Sequence, residues 1–328
     1  MTATTSPDWN IVGILGAARG ARSGAGGPIG SEHLLAGITT AKGAAREALA
    51  AEGATKVTLL SVLRDRLDRE EAWSADDDPE GAVSEKDILG DEGEERVRYT
   101  GAAGRALTSA RELARQEDAA KFGAEHLLRG LLAGDNRAVE MLDTCGVPPE
   151  AVLARLDGGA GSPADDLAPL LHPTRDILLG HSHYRRAPWW SRWLLKRAGI
   201  NWAARPAWWV RMETYEQARR LAADAVGTEH VLLAVLATHE VALRYPHLAQ
   251  EGDSDVASRY EGGERLARLG LDHASVHEAL RSGGRVHLAS DARPVEQYLD
   301  GDKGTGPLVQ ELLDEETRAR QLVQALSA

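Results

Sequence analysis

The chain has 328 residues and is acidic, with 50 Asp and Glu residues against 38 Lys and Arg residues and a formal net charge of −12. This charge argues against a general nucleic-acid binder, because such a protein needs a basic face for the phosphate backbone. The single cysteine excludes an internal disulfide framework and is typical of a reducing compartment.

Signals for membrane insertion or export are not evident in the sequence. No apolar run approaches the roughly 18 residues that a transmembrane helix needs. The first residues lack a basic region followed by an apolar stretch, so no signal peptide is predicted. We therefore expect a cytoplasmic protein without stable membrane insertion.

The first predicted unit covers residues 1–67. Apolar residues spaced three and four apart predict four helices, at about 9–22, from Ser31 onward, at 43–52 and at 55–67. Ser31 suits the start of its helix, since its side-chain oxygen accepts a free backbone N–H. Glu32 lies in the first turn, where the helix dipole favours a carboxylate.

Residues 68–98 are dense in Asp and Glu, and Pro79, Gly81, Gly90 and Gly93 interrupt them. Such a composition is typical of solvated chain between folded parts. We predict an acidic linker.

Residues 99–157 form the next predicted unit and reveal an internal repeat. Its Glu125-His126 pair, preceded by a glycine and followed by apolar residues, recurs as Glu32-His33 and as Glu229-His230. A further glycine follows the glutamate after 21 residues in the first two copies and after 41 in the third. We infer three copies of one helical unit.

Residues 158–207 match no copy of the repeat. Six of the eight tryptophans lie between positions 189 and 209, and no acidic residue occurs from 177 to 212. A helix that begins at Pro188 would place Trp189, Trp190 and Trp193 on one face. Three interpretations compete: packing against the repeats, a wall that binds a ligand or peptide, and a helix on a membrane surface.

The remaining chain contains the third copy, residues 208–283, and a tail, residues 284–328. Helices are predicted in the third copy near 208–224, 228–238, 256–268 and 272–282. In the tail we predict one helix from about 307 to 326, which docks through Leu308, Leu312, Leu313 and Leu322.

The repeat resembles the Clp amino-terminal (Clp N) repeat, a module of Clp-type unfoldase ATPases that also occurs in free-standing proteins. The resemblance is carried by Tyr99-Thr100, Ala103 to Gln116, Gly123 to Leu132 and Met141 to Val147. It is clearest in the second copy, and the first and third copies are similar. The resemblance implies an all-α fold with three four-helix repeats, of which two pair in an amino-terminal unit. The third would carry the Trp-rich helical insert and a C-terminal helix.

The motifs of catalysis are missing from the sequence. It has no Gly-x-x-x-x-Gly-Lys-[Ser/Thr] phosphate loop and no His-Glu-x-x-His metal motif. His172, His181 and His183 are loosely spaced, which favours loop histidines over a zinc site. We therefore expect no cofactor, no metal and no catalysis, although an acid–base site assembled from separate helices leaves no local signature.

The motif glutamates are the first candidate site residues. In Clp amino-terminal domains that recognise phosphorylated arginine, this glutamate contacts the guanidinium, and the resemblance implies that role for Glu32, Glu125 and Glu229. A carboxylate at an open helix start can accept a bidentate guanidinium pair. The competing interpretation is a partner of the helix dipole, which contributes about 0.3–1 kcal/mol.

The sequence thus predicts a non-catalytic binding protein. By resemblance its ligands would be proteins or peptides, namely degradation substrates or partners of the Clp protease machinery. A first alternative is a protein that sequesters a hydrophobic or cyclic-peptide antibiotic through Trp189, Trp190 and Trp193. A second alternative is an enzyme built on the repurposed scaffold, since fold does not determine function.

Overall fold

The computed structural model describes residues 6–22, 27–160, 166–185, 200–250, 256–282, 288–301 and 304–327. The chain divides into a first unit, Met1–Ala164, and a second unit, Asp165–Ala328. The all-α fold that the sequence predicted is confirmed. Within the described ranges, β structure is limited to four strands of two residues each and one isolated bridge.

The first unit contains nine α-helices among its described residues. They are α1 (Trp9–Ala21), α2 (Ser31–Ile38), α3 (Ala44–Ala51), α4 (Lys56–Asp68), α5 (Glu85–Leu89), α6 (Gly101–Gln116), α7 (Ala124–Leu132), α8 (Arg137–Thr144) and α9 (Pro149–Leu156). A 3₁₀ helix, Gly90–Glu92, follows α5. Helices α1–α4 form the first copy of the repeat and α6–α9 the second.

The two copies contact each other in an approximately twofold arrangement. Strand β1 (Ser6–Pro7) pairs in parallel with β4 (Lys121–Phe122), so Pro7 lies opposite Phe122. The corresponding residues Ile29 and Tyr99 form a parallel bridge. One apolar core draws on helices of both copies, including Ile11, Leu34, Leu107 and Leu127. Each copy thereby covers the apolar face that the other would expose alone.

Part of the predicted acidic linker is ordered structure. Strands β2 (Val83–Ser84) and β3 (Arg98–Tyr99) pair antiparallel beside α5. Two carboxylates of the segment, Asp77 and Glu85, are 0% and 2% exposed. They are buried because they accept hydrogen bonds from the folded copies: Arg19 donates to Glu85 at 2.7 and 2.8 Å, and helix N-termini donate to Asp77.

The second unit also has nine described α-helices. They are α10 (His172–Leu178), α11 (Pro206–Arg220), α12 (Thr228–Arg244), α13 (Pro246–Ala249), α14 (Val256–Arg268), α15 (His273–Arg281), α16 (Val295–Tyr298), α17 (Thr305–Asp314) and α18 (Arg318–Leu326). A 3₁₀ helix, Pro169–Leu171, precedes α10. Helix α12 lies at the centre, and twelve of its residues from Thr228 to His239 are buried.

The helix predicted at about 307–326 is two helices, α17 and α18, and α16 is a further helix of the tail. Helix α17 ends at Asp314 because Glu315 adopts extended backbone angles. Helix α18 begins after Thr317, whose hydroxyl oxygen accepts the backbone N–H of Arg320 at 3.0 Å. The same hydroxyl donates to the carbonyl of Leu312 at 2.5 Å, so one side chain both ends and starts a helix.

The predicted tryptophan wall lies outside the described residues, since Trp189, Trp190 and Trp193 fall within residues 186–199. Of the other tryptophans in that cluster, Trp209 is fully buried and Trp208 is 58% exposed. The three interpretations of the wall remain predictions.

Candidate binding site at the motif glutamates

The motif histidine caps its helix in all three copies. The Nδ1 atom of His33 accepts the backbone N–H of Gly30 at 3.1 Å. His126 does the same for Gly123 at 3.0 Å, and His230 for its own motif glycine, also at 3.0 Å. The free N–H at each helix start is thus satisfied by a side chain three residues later. The histidine of the motif therefore shapes the helix start on which the glutamate sits.

The glycine before the motif glutamate leaves room for the carboxylate. In the first copy, a Cβ placed on Gly30 would lie 2.1 Å from Oε2 of Glu32. In the third copy, a Cβ on Gly227 would lie 2.3 Å from Oε2 of Glu229. Both carboxylates fold back over the start of their own helix, so a side chain at either glycine would displace the carboxylate from this position.

Glu32 is buried and incompletely paired. It is 2% exposed, and its Oε1 lies 3.6 Å from Nη1 of Arg137 at the start of α8. Its Oε2 accepts no hydrogen bond, and Nε of Arg137 donates none, within the described residues. A buried carboxylate oxygen without a donor costs several kcal/mol, roughly 1–3 or more. The pair therefore has one unused acceptor and one unused donor.

This pair lies at the wall of a cleft of about 610 Å³. The apolar part of the cleft comes from α4 and the residues after it: Leu60, Leu63, Leu67 and Trp73. Arg66 stacks over the ring of Trp73, with its guanidinium carbon 4.6 Å from the ring centroid. An apolar wall with a few convergent polar groups is the usual composition of a ligand site.

Glu125 has a different environment, because its side chain is exposed. In the second copy Arg137 follows the motif glutamate by 12 residues, and in the first copy Ala44 stands at that distance. Ala44 has no guanidinium that could form an ion pair with Glu125. The twofold arrangement of the first unit therefore yields one buried motif glutamate and one open one.

Glu229 of the third copy is buried and is paired through Oε1, while its Oε2, like that of Glu32, accepts no hydrogen bond within the described residues. It is 4% exposed, and its Oε1 accepts from Nη1 of Arg318 at 2.9 Å. Arg318 is the first residue of α18, as Arg137 is the first residue of α8. The same geometry thus occurs in both units, with a shorter ion pair in the second.

The tail contains a segment that resembles the motif and that was not predicted from the sequence; we call it the degenerate fourth copy. The second copy has Gly123-Ala124-Glu125-His126-Leu127-Leu128 where the tail has Gly304-Thr305-Gly306-Pro307-Leu308-Val309. The alignment continues without a gap, so Arg318-Ala319 correspond to Arg137-Ala138. Asn136 donates to the carbonyl five residues earlier at 2.8 Å, as Thr317 does at 2.5 Å. Because Gly306 and Pro307 replace Glu and His, only the leucine spacing could have revealed this copy.

An aspartate from outside the copies joins the helix starts in each unit. Asp77 accepts from the backbone N–H and the hydroxyl of Ser31 at 2.9 and 2.5 Å, and from the N–H of Arg137 at 3.4 Å. Asp291 accepts from the N–H and hydroxyl of Thr228 at 3.0 and 2.5 Å, and from the N–H of Arg318 at 2.8 Å. These two bridging aspartates place each arginine beside its glutamate.

Another buried carboxylate, Glu213 of α11, is fully paired. It accepts from Thr174 and Tyr184 at 2.8 Å each and from Arg220 at 2.6 Å. Burial, reinforced by the adjacent carboxylate, raises the pKa of Tyr184 well above its ordinary value. Since both oxygens of Glu213 have donors, this cluster stabilises the second unit and leaves no acceptor for a ligand.

The fold and the site define an all-helical repeat protein. Residues 98–168 match the family model of the Clp repeat (R) N-terminal domain. This segment of the chain is similar to the Clp repeat N-terminal domain, a match that suggests a Clp-related protein-interaction domain. No curated protein and no solved structure matches the chain.

Two other classes of site have no support in the part of the chain that the structure describes. Within the described residues, no helix is long and apolar enough to cross a membrane. The same residues contain no group of three His, Cys, Asp or Glu side chains placed to hold a metal ion.

Proposed function

We propose that the chain binds peptide segments of proteins in the cleft of the first unit. The observation that carries this proposal is the buried Glu32 carboxylate, which has an unused oxygen at the wall of a cleft lined by both apolar and charged side chains. A buried charge is stable only when it is paired, so this oxygen favours a ligand that brings a donor. The partners would be degradation substrates or components of the Clp protease machinery.

The ligand group at Glu32 is a guanidinium. It would donate to Oε2 of Glu32, and a phosphate on the same group would accept from the free Nε–H of Arg137. The resemblance implies the same ligand, phosphorylated arginine, from the family. Flanking apolar side chains of the peptide would pack on Leu63, Leu67 and Trp73.

Glu125 is a second guanidinium-binding candidate, since its carboxylate is exposed at the start of α7. An exposed carboxylate contributes less than a buried one, because water screens its charge. We propose Glu32 as the principal contact and Glu125 as a weaker one.

Replacing Glu32 with Gln should weaken the binding of a fluorescent peptide with one phosphorylated arginine by about 10- to 100-fold. The reason is that a hydrogen bond to a charged group contributes about 1.5–3 kcal/mol. Fluorescence anisotropy on the full chain measures the dissociation constant. The matched control is Glu80→Gln, which changes an exposed glutamate that does not line the cleft. A Glu32→Gln protein that binds as well as the control would disprove the proposal.

A further inference from the structure

We propose that Arg318 is an internal ligand of Glu229 and closes the third copy to external guanidinium groups. This inference rests on the proposed function, because it takes the Glu32 site as the open form. The closed site lies in the second unit. The inference explains how the same motif can bind a ligand in the first unit and form an internal ion pair in the second.

The first argument is the difference between the two ion pairs. Arg137 approaches Glu32 only to 3.6 Å, whereas Arg318 donates to Glu229 at 2.9 Å. The longer distance in the first unit is beyond hydrogen-bond range, and the shorter one is a charge-assisted hydrogen bond. Oε1 of Glu229 therefore already accepts from the type of group that a ligand would present, and the Arg318 side chain that holds it stands beside the remaining oxygen, Oε2.

The second argument is that Arg318 is fixed in place at three points. Its backbone N–H donates to Asp291 at 2.8 Å, its Nε to the carbonyl of Ala289 at 3.4 Å, and its Nη1 to Glu229. By contrast, Nε of Arg137 has no acceptor within the described residues. A side chain held this way loses little further entropy in the ion pair, so an external ligand competes poorly with it.

The third argument is the origin of Arg318 in the degenerate fourth copy. That copy has lost its own motif glutamate, since Gly306 stands where the second copy has Glu125. It retains the arginine at the start of the next helix, which Asp291 from outside the copies positions beside Glu229. The fourth copy therefore supplies Arg318, the side chain that closes Glu229 to an external guanidinium.

Isothermal titration with the phosphoarginine peptide tests the inference on the full chain. The variant Arg318→Ala should bind one more peptide per chain than the wild type. The gain should disappear in the double variant Arg318→Ala, Glu229→Gln. In the wild-type background, Glu229→Gln alone should leave both affinity and stoichiometry unchanged.

Three results would overturn the inference: a folded Arg318→Ala protein without the additional site, a gain that survives in the double variant, or weaker binding by Glu229→Gln alone. If Arg318→Ala does not melt cooperatively, Arg318→Gln replaces it, because glutamine keeps part of the packing without the charge. Failure of the proposed function is distinguishable, since it removes wild-type binding. A peptide bound only by the Arg318 variant would still support the closure at Glu229.

Discussion

Replacing Asp77 with Ala should destabilise the first unit by about 3–5 kcal/mol. The carboxylate is fully buried and accepts four hydrogen bonds, two from Ser31, one from Arg137 and one from the hydroxyl of Thr100 at 2.6 Å. The substitution leaves the Ser31 and Thr100 donors buried without an acceptor, at about 1–3 kcal/mol each. The starts of α2 and α8 would separate.

Hydrogen exchange with mass spectrometry measures this effect, because it reports the protection of α2 and α8 separately from that of the second unit. The control is Asp91→Ala, an exposed position in the 3₁₀ helix, where less than about 0.5 kcal/mol is expected. Asp291→Ala should lower protection of α12 and α18 by a smaller amount, since Asp291 is only half-buried. Unchanged protection of α2 in Asp77→Ala would mean that the aspartate does not join the helix starts.

Acidification should destabilise the second unit by several kcal/mol between pH 6.5 and about pH 4. Burial lowers the pKa of His247 and of His273 from 6.5 to about 4, and neighbouring positive charges on His277 and Arg220 add to the effect at His273. The unfolded chain takes up these protons first. Stability is therefore fully present above pH 6.5 and is lost as the pH falls toward 4, by about 3 kcal/mol for each histidine.

Urea denaturation followed by far-ultraviolet circular dichroism across this pH range measures the loss. The double variant His247→Gln, His273→Gln should show a smaller decrease in the free energy of unfolding on acidification than the wild type. The control is His181→Gln, which changes an exposed histidine. A double variant with the wild-type pH dependence would show that these two side chains are not buried in the neutral form.

Local signals in the sequence predicted much of the fold. The first helix was predicted at about 9–22 and is Trp9–Ala21. Apolar spacing and a polar N-cap carry enough information at such places, because both act within one or two turns. The Clp repeat in the second copy was also recognised from local residues, and the family match at residues 98–168 supports it.

The contacts that build the site could not be predicted in this way. Ser31 accepts the N–H of Ala138, a residue 107 positions away, and Arg318 reaches Glu229 across 89 positions. Pairings over such separations follow from how the copies pack, which no single segment encodes. Asp77 was assigned to a solvated linker because its acidic neighbours dominate the composition there.

The burial of Glu32 and Glu229 also depends on contacts between segments that are far apart in the sequence. A glutamate in the first turn of a helix is compatible with an exposed dipole partner, a ligand contact or an internal ion pair. The residues that decide among these roles, Arg137 and Arg318, belong to other copies of the repeat. The exposed Glu125 shows that the motif alone does not determine the environment of its carboxylate.

Photo-crosslinking tests the central claim most directly, because it identifies where a bound peptide lies. The probe is a peptide with one phosphorylated arginine and a photoreactive apolar residue beside it, added to the full chain and mapped by mass spectrometry. The account predicts crosslinks to the cleft residues Leu63, Leu67 and Trp73, and their loss in Glu32→Gln but not in Glu80→Gln. Crosslinks that fall instead on the Trp-rich segment 186–199, and that persist in Glu32→Gln, would contradict it.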